Sequence, residues 1–250
     1  MVELKSARDK EKMKKAGLIV AEVLQVLKKS VKPRMTTKDL DHIADSEIRS
    51  RGAVPVFKGY HGYPASVCVS VNHEVVHGIP GTRRLKEYDL VSLDLGAVID
   101  SFVGDAALSV FVGEAPDEAA ASLLKVTEDS LYRGIEVARP GGHLGDISYA
   151  VQQYVESHGF SVVRDYVGHG IGHEMHEDPQ VPNYGFPGRG ILLRPGLALA
   201  IEPMVNQGDY EVDVLDDGWT VVTRDGSLSA HFEHTIFITE AGPEILTRID

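Results

Sequence analysis

Four acids, Asp94, Asp105, Glu202 and Glu233, stand in runs of residues that otherwise favour buried strands, and three of the chain's eleven histidines crowd into "GHGIGHEMHE", residues 168–177. A carboxylate buried without a partner is costly unless a cation holds it, and no Lys or Arg interrupts these four runs. Four carboxylates bring a charge of about −4, enough for two divalent ions, and one imidazole among them suits metals of intermediate softness such as Mn, Fe, Co or Zn. Taken singly, each acid reads as a strand-end or solvent-facing residue; taken together, they read as a divalent-metal centre. The single cysteine, Cys68, excludes an internal disulfide and any multi-cysteine zinc site, so the metal must sit on carboxylate and histidine.

A second pattern misleads. "HEVVH", His73 to His77, matches the H-E-x-x-H signature of helical zinc proteases, in which two histidines one turn apart bind zinc. Here it follows an alternating valine run, holds two β-branched residues between its histidines, and is bounded by Pro64, Gly78 and Pro80. Gly170 and Gly172 disfavour a helix through the three-histidine stretch as well.

The elements that must position these residues follow from periodicity. Residues 6–30 read as an amphipathic helix capped by Ser6, with Met13, Ala16, Val20, Val23, Leu24 and Leu27 at helical spacing and Pro33 beyond its end. A second helix spans about Thr37 to Arg51, stopped by Gly52. "SVCVSVN" reads as a strand, and residues 90–112 as a hairpin turning at Asp100 and Ser101. That turn puts Asp94 opposite Ala107, and Asp105, two residues from Ala107, on the same face. Helices return at 117–138, with Pro116 in the first turn, and at about 144–158, stopped by Gly159, before further strands. Sliding the first half by 107 positions aligns Pro33 with Pro140, Asp39 with Asp146, Ser50 with Ser157 and Gly52 with Gly159, at helix starts and stops. Two similar halves facing each other, with a site between them, are expected.

A chain of 250 residues with 43% hydrophobic content can bury a sizeable core. No apolar stretch is long enough to span a bilayer, and "MVELKSARDKEKMKKAG" lacks the apolar stretch of a signal peptide, so a soluble cytoplasmic protein is expected. A net charge of −12 argues against general or sequence-specific nucleic-acid binding, yet residues 1–35 hold ten Lys or Arg against four acids. That basic stretch reads as a solvated helix face, with ribosome contact as the alternative.

The segments "FKGYHGYPASVCVSVNHEVVHGIP", "SLDLGAVIDSFVGDAA", "DYVGHGIGHEMHEDPQVPNYG", "LAIEPM" and "HFEHT", in this order and spacing, make essentially the whole chain resemble the methionine aminopeptidases of type I. The short link from His176 to Glu202 lacks the type II insertion. The resemblance implies the pita-bread α/β (α+β) fold: two pseudo-symmetric halves, about 1–112 and 116–250, with a curved antiparallel sheet and helices outside, forming one catalytic domain over 1–250. It implies Asp94, Asp105, His169, Glu202 and Glu233 as metal ligands around two divalent ions (Co, Mn, Fe, Zn or Ni) and a bridging water. It further implies His77 and His176 beside the scissile amide, with His173 a bystander, and a substrate pocket of Phe57, Tyr60, Tyr63, Cys68, Met175 and Trp219.

The expected activity is hydrolytic removal of the N-terminal methionine from nascent proteins and peptides, preferring a small second residue. Glu202 is the candidate to take the attacking water's proton and pass it to the leaving amine. An aromatic and sulfur lining suits the methionine thioether. Phe57 stands where the family often has cysteine and Met175 where it often has phenylalanine, which leaves pocket size open. The family is expected to be monomeric. Three rivals remain: a proline-specific peptidase on the same fold, a catalytically dead relative acting as a binding module, and the helical zinc protease, which alone would make His73 essential.

Overall fold

Ser6 opens the first helix by a reciprocal cap: its hydroxyl accepts the Asp9 N–H while the Asp9 carboxylate accepts the Ser6 N–H. In this computed structural model, residues 2–249 are described; Met1 and Asp250, the ends of the expected domain, lie outside them. Helix α1, Ala7–Ser30, buries Met13, Ala16, Val20, Val23, Leu24 and Leu27, the stripe expected from spacing. Complete burial of Leu27 alone contributes roughly 1.5–3 kcal/mol. Helix α2, Thr37–Ser50, follows, and α3, Glu118–Val137, and α4, Leu144–Ser157, repeat the pair later in the chain.

The second helices of the two pairs each hold 14 residues, and their starts, Thr37 and Leu144, are 107 positions apart. Both are preceded by an isolated antiparallel bridge, Thr36 with Arg84 and His143 with Leu192. In both, the third helical residue, Asp39 or Asp146, accepts the N–H of the residue before the helix. One expectation needs correcting. Pro116 does not sit in the first turn of α3: Asp117 is the cap, its carboxylate accepting from Ala120 N–H, and Pro116 precedes it outside the helix. Asp satisfies an orphan amide donor, which proline cannot do.

Among the described residues the core sheet has nine antiparallel strands. Its path runs Val54–Pro55, Leu90–Ile99, Phe102–Phe111, Glu233–Thr239, Ala198–Ile201, Gly168–Gly170 and Glu177–Val181, with Cys68–Val71 and Gly242–Ile245 paired off it. The helices pack outside this curved sheet, the arrangement expected of the pita-bread fold. The long hairpin turns at Asp100 and Ser101, both at positive φ (51° and 65°), and every pair from Leu90 with Phe111 to Ile99 with Phe102 keeps the expected register.

Two expected strands are broken. "GLALAIEPMV" divides into Ala198–Ile201 and Met204–Asn206, because Pro203 has no N–H to donate to the ladder. "SAHFEHTIFIT" divides into Ser229–His231 and Glu233–Thr239. Beside Glu202 the chain leaves the large sheet for a three-stranded one, and beside Glu233 it returns from that three-stranded sheet to the large one.

Where α1 crosses the hairpin, backbone meets backbone: a Cβ on Gly104 would come within 2.6 Å of the Gly17 nitrogen. Gly104→Ala should therefore force α1 off the sheet and lower stability by about 1–3 kcal/mol, measured by denaturant unfolding.

Candidate functional site

Strand alternation delivers the acids to one face. Asp94 and Glu233 both pair across to Ala107, so Asp94, Ala107 and Glu233 form one row, and Asp105 is two residues along on the same side. In the next row His169 and Thr235 both pair with Ala200, and Glu202 is two residues beyond Ala200. Thr235 locks the rows: its hydroxyl donates to the Asp105 carbonyl at 2.7 Å and accepts the Asp105 N–H at 3.1 Å. The glycines around His169 answer a packing demand. A Cβ on Gly168 would strike the carbonyl oxygen of Ala200, and one on Gly170 that of Asp178.

Ligand atoms of Asp105, His169 and Glu233, all buried, lie within 4.8 Å of one another. His169 Nε2 is 3.7 Å from Asp105 Oδ2 and 3.6 Å from Glu202 Oε1. Oxygens of Asp94, Asp105 and Glu233 are buried without a hydrogen-bond partner. Among the described residues no Lys or Arg lines the cleft they share. Burial raises all four acids above the usual carboxylate range, Asp105 to about 7. For Asp94 the neighbouring Asp105 adds to burial, and for Glu202 and Glu233 Asp105 again follows burial as a cause. Burial drops His169 to about 3, and its Nδ1 lies 2.9 Å from the Gly170 carbonyl, which can only accept; the proton therefore sits on Nδ1 and the Nε2 lone pair faces the acids. Orphaned carboxylate oxygens converging with an imidazole lone pair fit a divalent cation.

Every site residue named from sequence lines one cleft of about 410 Å³. Its apolar wall carries Phe57, Tyr63, Cys68 and Met175, all buried, and Trp219, whose ring meets Tyr63 edge-on at 5.1 Å. The Tyr63 hydroxyl donates to the Gly78 carbonyl at 2.9 Å, which ties this wall to the segment that carries His77. His77 has a positive φ of 59° and rests against the rings of Tyr166 and Trp219; burial lowers it to about 4. His176 lies with its ring 4.3 Å from that of His169 and its Nδ1 2.8 Å from the Tyr60 hydroxyl.

"HEVVH" is a strand, Glu74–Val76, and His73 is absent from the cleft lining. His173 bonds the Ser101 carbonyl through Nδ1 at 2.8 Å and stacks on Phe102, so it fastens the loop to the hairpin turn. Lys5, almost wholly buried, pairs with Glu177 at 2.8 Å, and Glu177 in turn accepts the His173 N–H, which clamps the loop that carries Met175 and His176. Sequence reading gave no role to His61, which lines the cleft, or to His231, whose buried Nε2 is 4.0 Å from Glu202 Oε2. Both stand in quoted motifs; a slide of 108 positions brings His61 onto His169, a signal that could have found it, whereas no spacing singles out His231.

Residues 11–240 match metallopeptidase family M24. The chain is 54% identical over 249 residues to the methionine aminopeptidase of Clostridium perfringens and 54% identical over 249 residues to methionine aminopeptidase 1 of Bacillus subtilis, covering 100% of each. The crystal structure of methionine aminopeptidase from Thermotoga maritima superposes with a TM-score of 0.98 at 52% identity, covering 100% of both chains. Prolidase from Pyrococcus furiosus, at 21% identity and a TM-score of 0.81 over 99% of this chain and 66% of its own, shares the fold.

Proposed function

The chain belongs to metallopeptidase family M24 and, within it, to the methionine aminopeptidases, and from that premise we propose that it removes the initiator methionine from nascent polypeptides with a small second residue, using two divalent ions held by Asp94, Asp105, His169, Glu202 and Glu233. The observation that carries this reading is the cluster of orphaned buried carboxylates at the floor of a cleft walled by aromatic rings and sulfur. Divalent ions bound there would acidify a water and polarise the scissile carbonyl. Glu202, its side chain 14% exposed to the cleft, takes the attacking water's proton and hands it to the leaving amine. His176 hydrogen-bonds the carbonyl as it becomes tetrahedral, and His77 positions the amide nitrogen.

The methionine side chain lies against Tyr60, Phe57, Tyr63, Cys68, Met175 and Trp219, where thioether and aromatic rings attract. The preference for a small second residue is carried by the resemblance. Release of free methionine from Met-Ala-Ser but not Met-Lys-Ser, with no cleavage of Ala-Pro-Ser, tests it; cleavage of Ala-Pro-Ser without a methionine preference would favour a proline peptidase instead. His77→Ala should lower kcat/KM about a hundredfold through misplaced substrate. His73→Ala should change it no more than about twofold, and a large loss there would revive the helical zinc protease.

The site lies in a single domain between halves at about 1–112 and 116–250. We place the protein in the cytoplasm as a monomer; no helix among the described residues is long and apolar enough to cross a membrane. Ribosome contact through α1 has less free charge than composition suggests, because Lys10 and Lys14 pair with Glu244 and Lys15 with Asp100. Arg8, Lys28, Lys29 and Lys12, the last lying over the Phe102 ring, are the basic side chains of α1 left for it, and cosedimentation after their charge reversal reads it out.

A further inference from the structure

Tyr60 begins a tight turn, Tyr60–Gly62, pinned on both sides: its N–H donates to the Phe57 carbonyl at 2.9 Å and its carbonyl accepts the Tyr63 N–H at 2.9 Å. The resemblance makes it a wall of the methionine pocket, a role that needs only its ring. Its hydroxyl, however, lies 2.8 Å from Nδ1 of His176. A neutral imidazole carries a single N–H, and the partner of one ring nitrogen decides which nitrogen holds it. A phenol is a stronger acid than a neutral imidazole N–H, and an imidazole nitrogen is a stronger base than a phenolic oxygen, so the hydroxyl donates and Nδ1 accepts. The one ring proton then resides on Nε2.

His169 shows the opposite case a ring's width away. The Gly170 carbonyl can only accept, so there Nδ1 carries the proton and Nε2 is bare. Two histidines whose ring centres are 4.3 Å apart are thus held as different tautomers by different partners. One offers a lone pair, as a metal ligand must; the other offers a proton, as a donor to carbonyl oxygen must.

We infer that Tyr60 is a positioning residue: its hydroxyl fixes the ring of His176 as the Nε2–H tautomer, aimed at the scissile carbonyl of the substrate. This rests on the role given to His176 above. Without the hydroxyl the ring divides between tautomers and orientations, and only one of these can donate where the oxygen gains charge.

Tyr60→Phe keeps the pocket wall and deletes the hydroxyl alone, so it separates the two roles. With zinc-loaded enzyme and Met-Ala-Ser, kcat should fall about tenfold while KM changes less than about twofold, the size of one lost hydrogen bond that acts in the transition state. Nitrogen chemical shifts of the His176 imidazole should move from a pure Nε2–H pattern to a mixture, with the thermal midpoint unchanged. Tyr60→Leu should raise KM as well, because it also removes the wall. A wild-type kcat in Tyr60→Phe, alongside a large loss in His176→Ala, would overturn the positioning role and leave the site reading intact. A silent His176→Ala would overturn both.

Discussion

Glu202→Gln should lower kcat for Met-Ala-Ser about 10²–10⁴-fold without unfolding the protein. The amide matches the carboxylate in volume, so the packing of Ile201, buried beside it, is kept. What is lost is a carboxylate at the cleft next to His169, with Oε1 3.6 Å from Nε2. Asp105 and Glu233 are more deeply buried, which suits holding charge rather than moving protons. Bound metal should be measured on the same sample, since Glu202 is also a proposed ligand. Lost turnover with metal retained assigns the proton transfer to Glu202; near-normal turnover removes it from the chemistry.

The second large effect is on stability. In metal-stripped protein, stability should fall as pH rises above about 7.5. Between about pH 4 and 7.5 two sets of buried groups oppose each other: His77, His169, His231 and His234 are neutral in the fold, with proton affinities lowered by burial to about 4, 3, 3 and 4, whereas the four acids hold protons that the unfolded chain has lost. Above about 7.5 the histidines are almost wholly neutral in both states, and the acids set the trend, joined by the buried Cys68 thiol, which burial also raises. Each acid's folded-state affinity is raised, so its contribution to stability is present at low pH and is lost as pH passes through its folded value, about 7 for Asp105 and well above the ordinary carboxylate range for Asp94, Glu202 and Glu233. Asp45, held at about 2 mainly by Arg49, acts in the opposite sense but far below this window. Manganese should reverse the trend, because ions bind the ionised ligands and compete with protons. At a hundred times the dissociation constant the gain is about 2.7 kcal/mol. Thermal unfolding at pH 7.5 and 8.5, with chelator or with manganese, checks this. A chelated protein that gains stability toward pH 8.5, or one indifferent to manganese, would count against the site.

Much of this arrangement is readable from the chain, for reasons particular elements show. The hairpin register follows from strand alternation and a turn of two residues that both tolerate positive φ, and it fixes which acids share a face. The helix pairs follow from apolar spacing and from Asp39 and Asp146 at the same place in their caps. One of the two passages between sheets is marked locally, by Pro203, but nothing in "SAHFEHTIFIT" marks the break at Phe232, whose N–H donates to the Pro203 carbonyl. Long-range polar contacts are equally invisible. Lys5 reads as one more basic residue of the N-terminus, yet it is buried against Glu177, and the bond between Tyr60 and His176 joins residues 116 positions apart.

The most direct test of the central claim, that these five residues hold the metal centre of a methionine aminopeptidase, is titration of metal-stripped protein with manganese while bound metal and free methionine released from Met-Ala-Ser are followed together. The expected result is no release before metal is added, release that climbs with occupancy to two ions per chain, and loss of both signals in Asp105→Asn. Methionine release from protein that holds no metal, or full metal binding with no release, would contradict it.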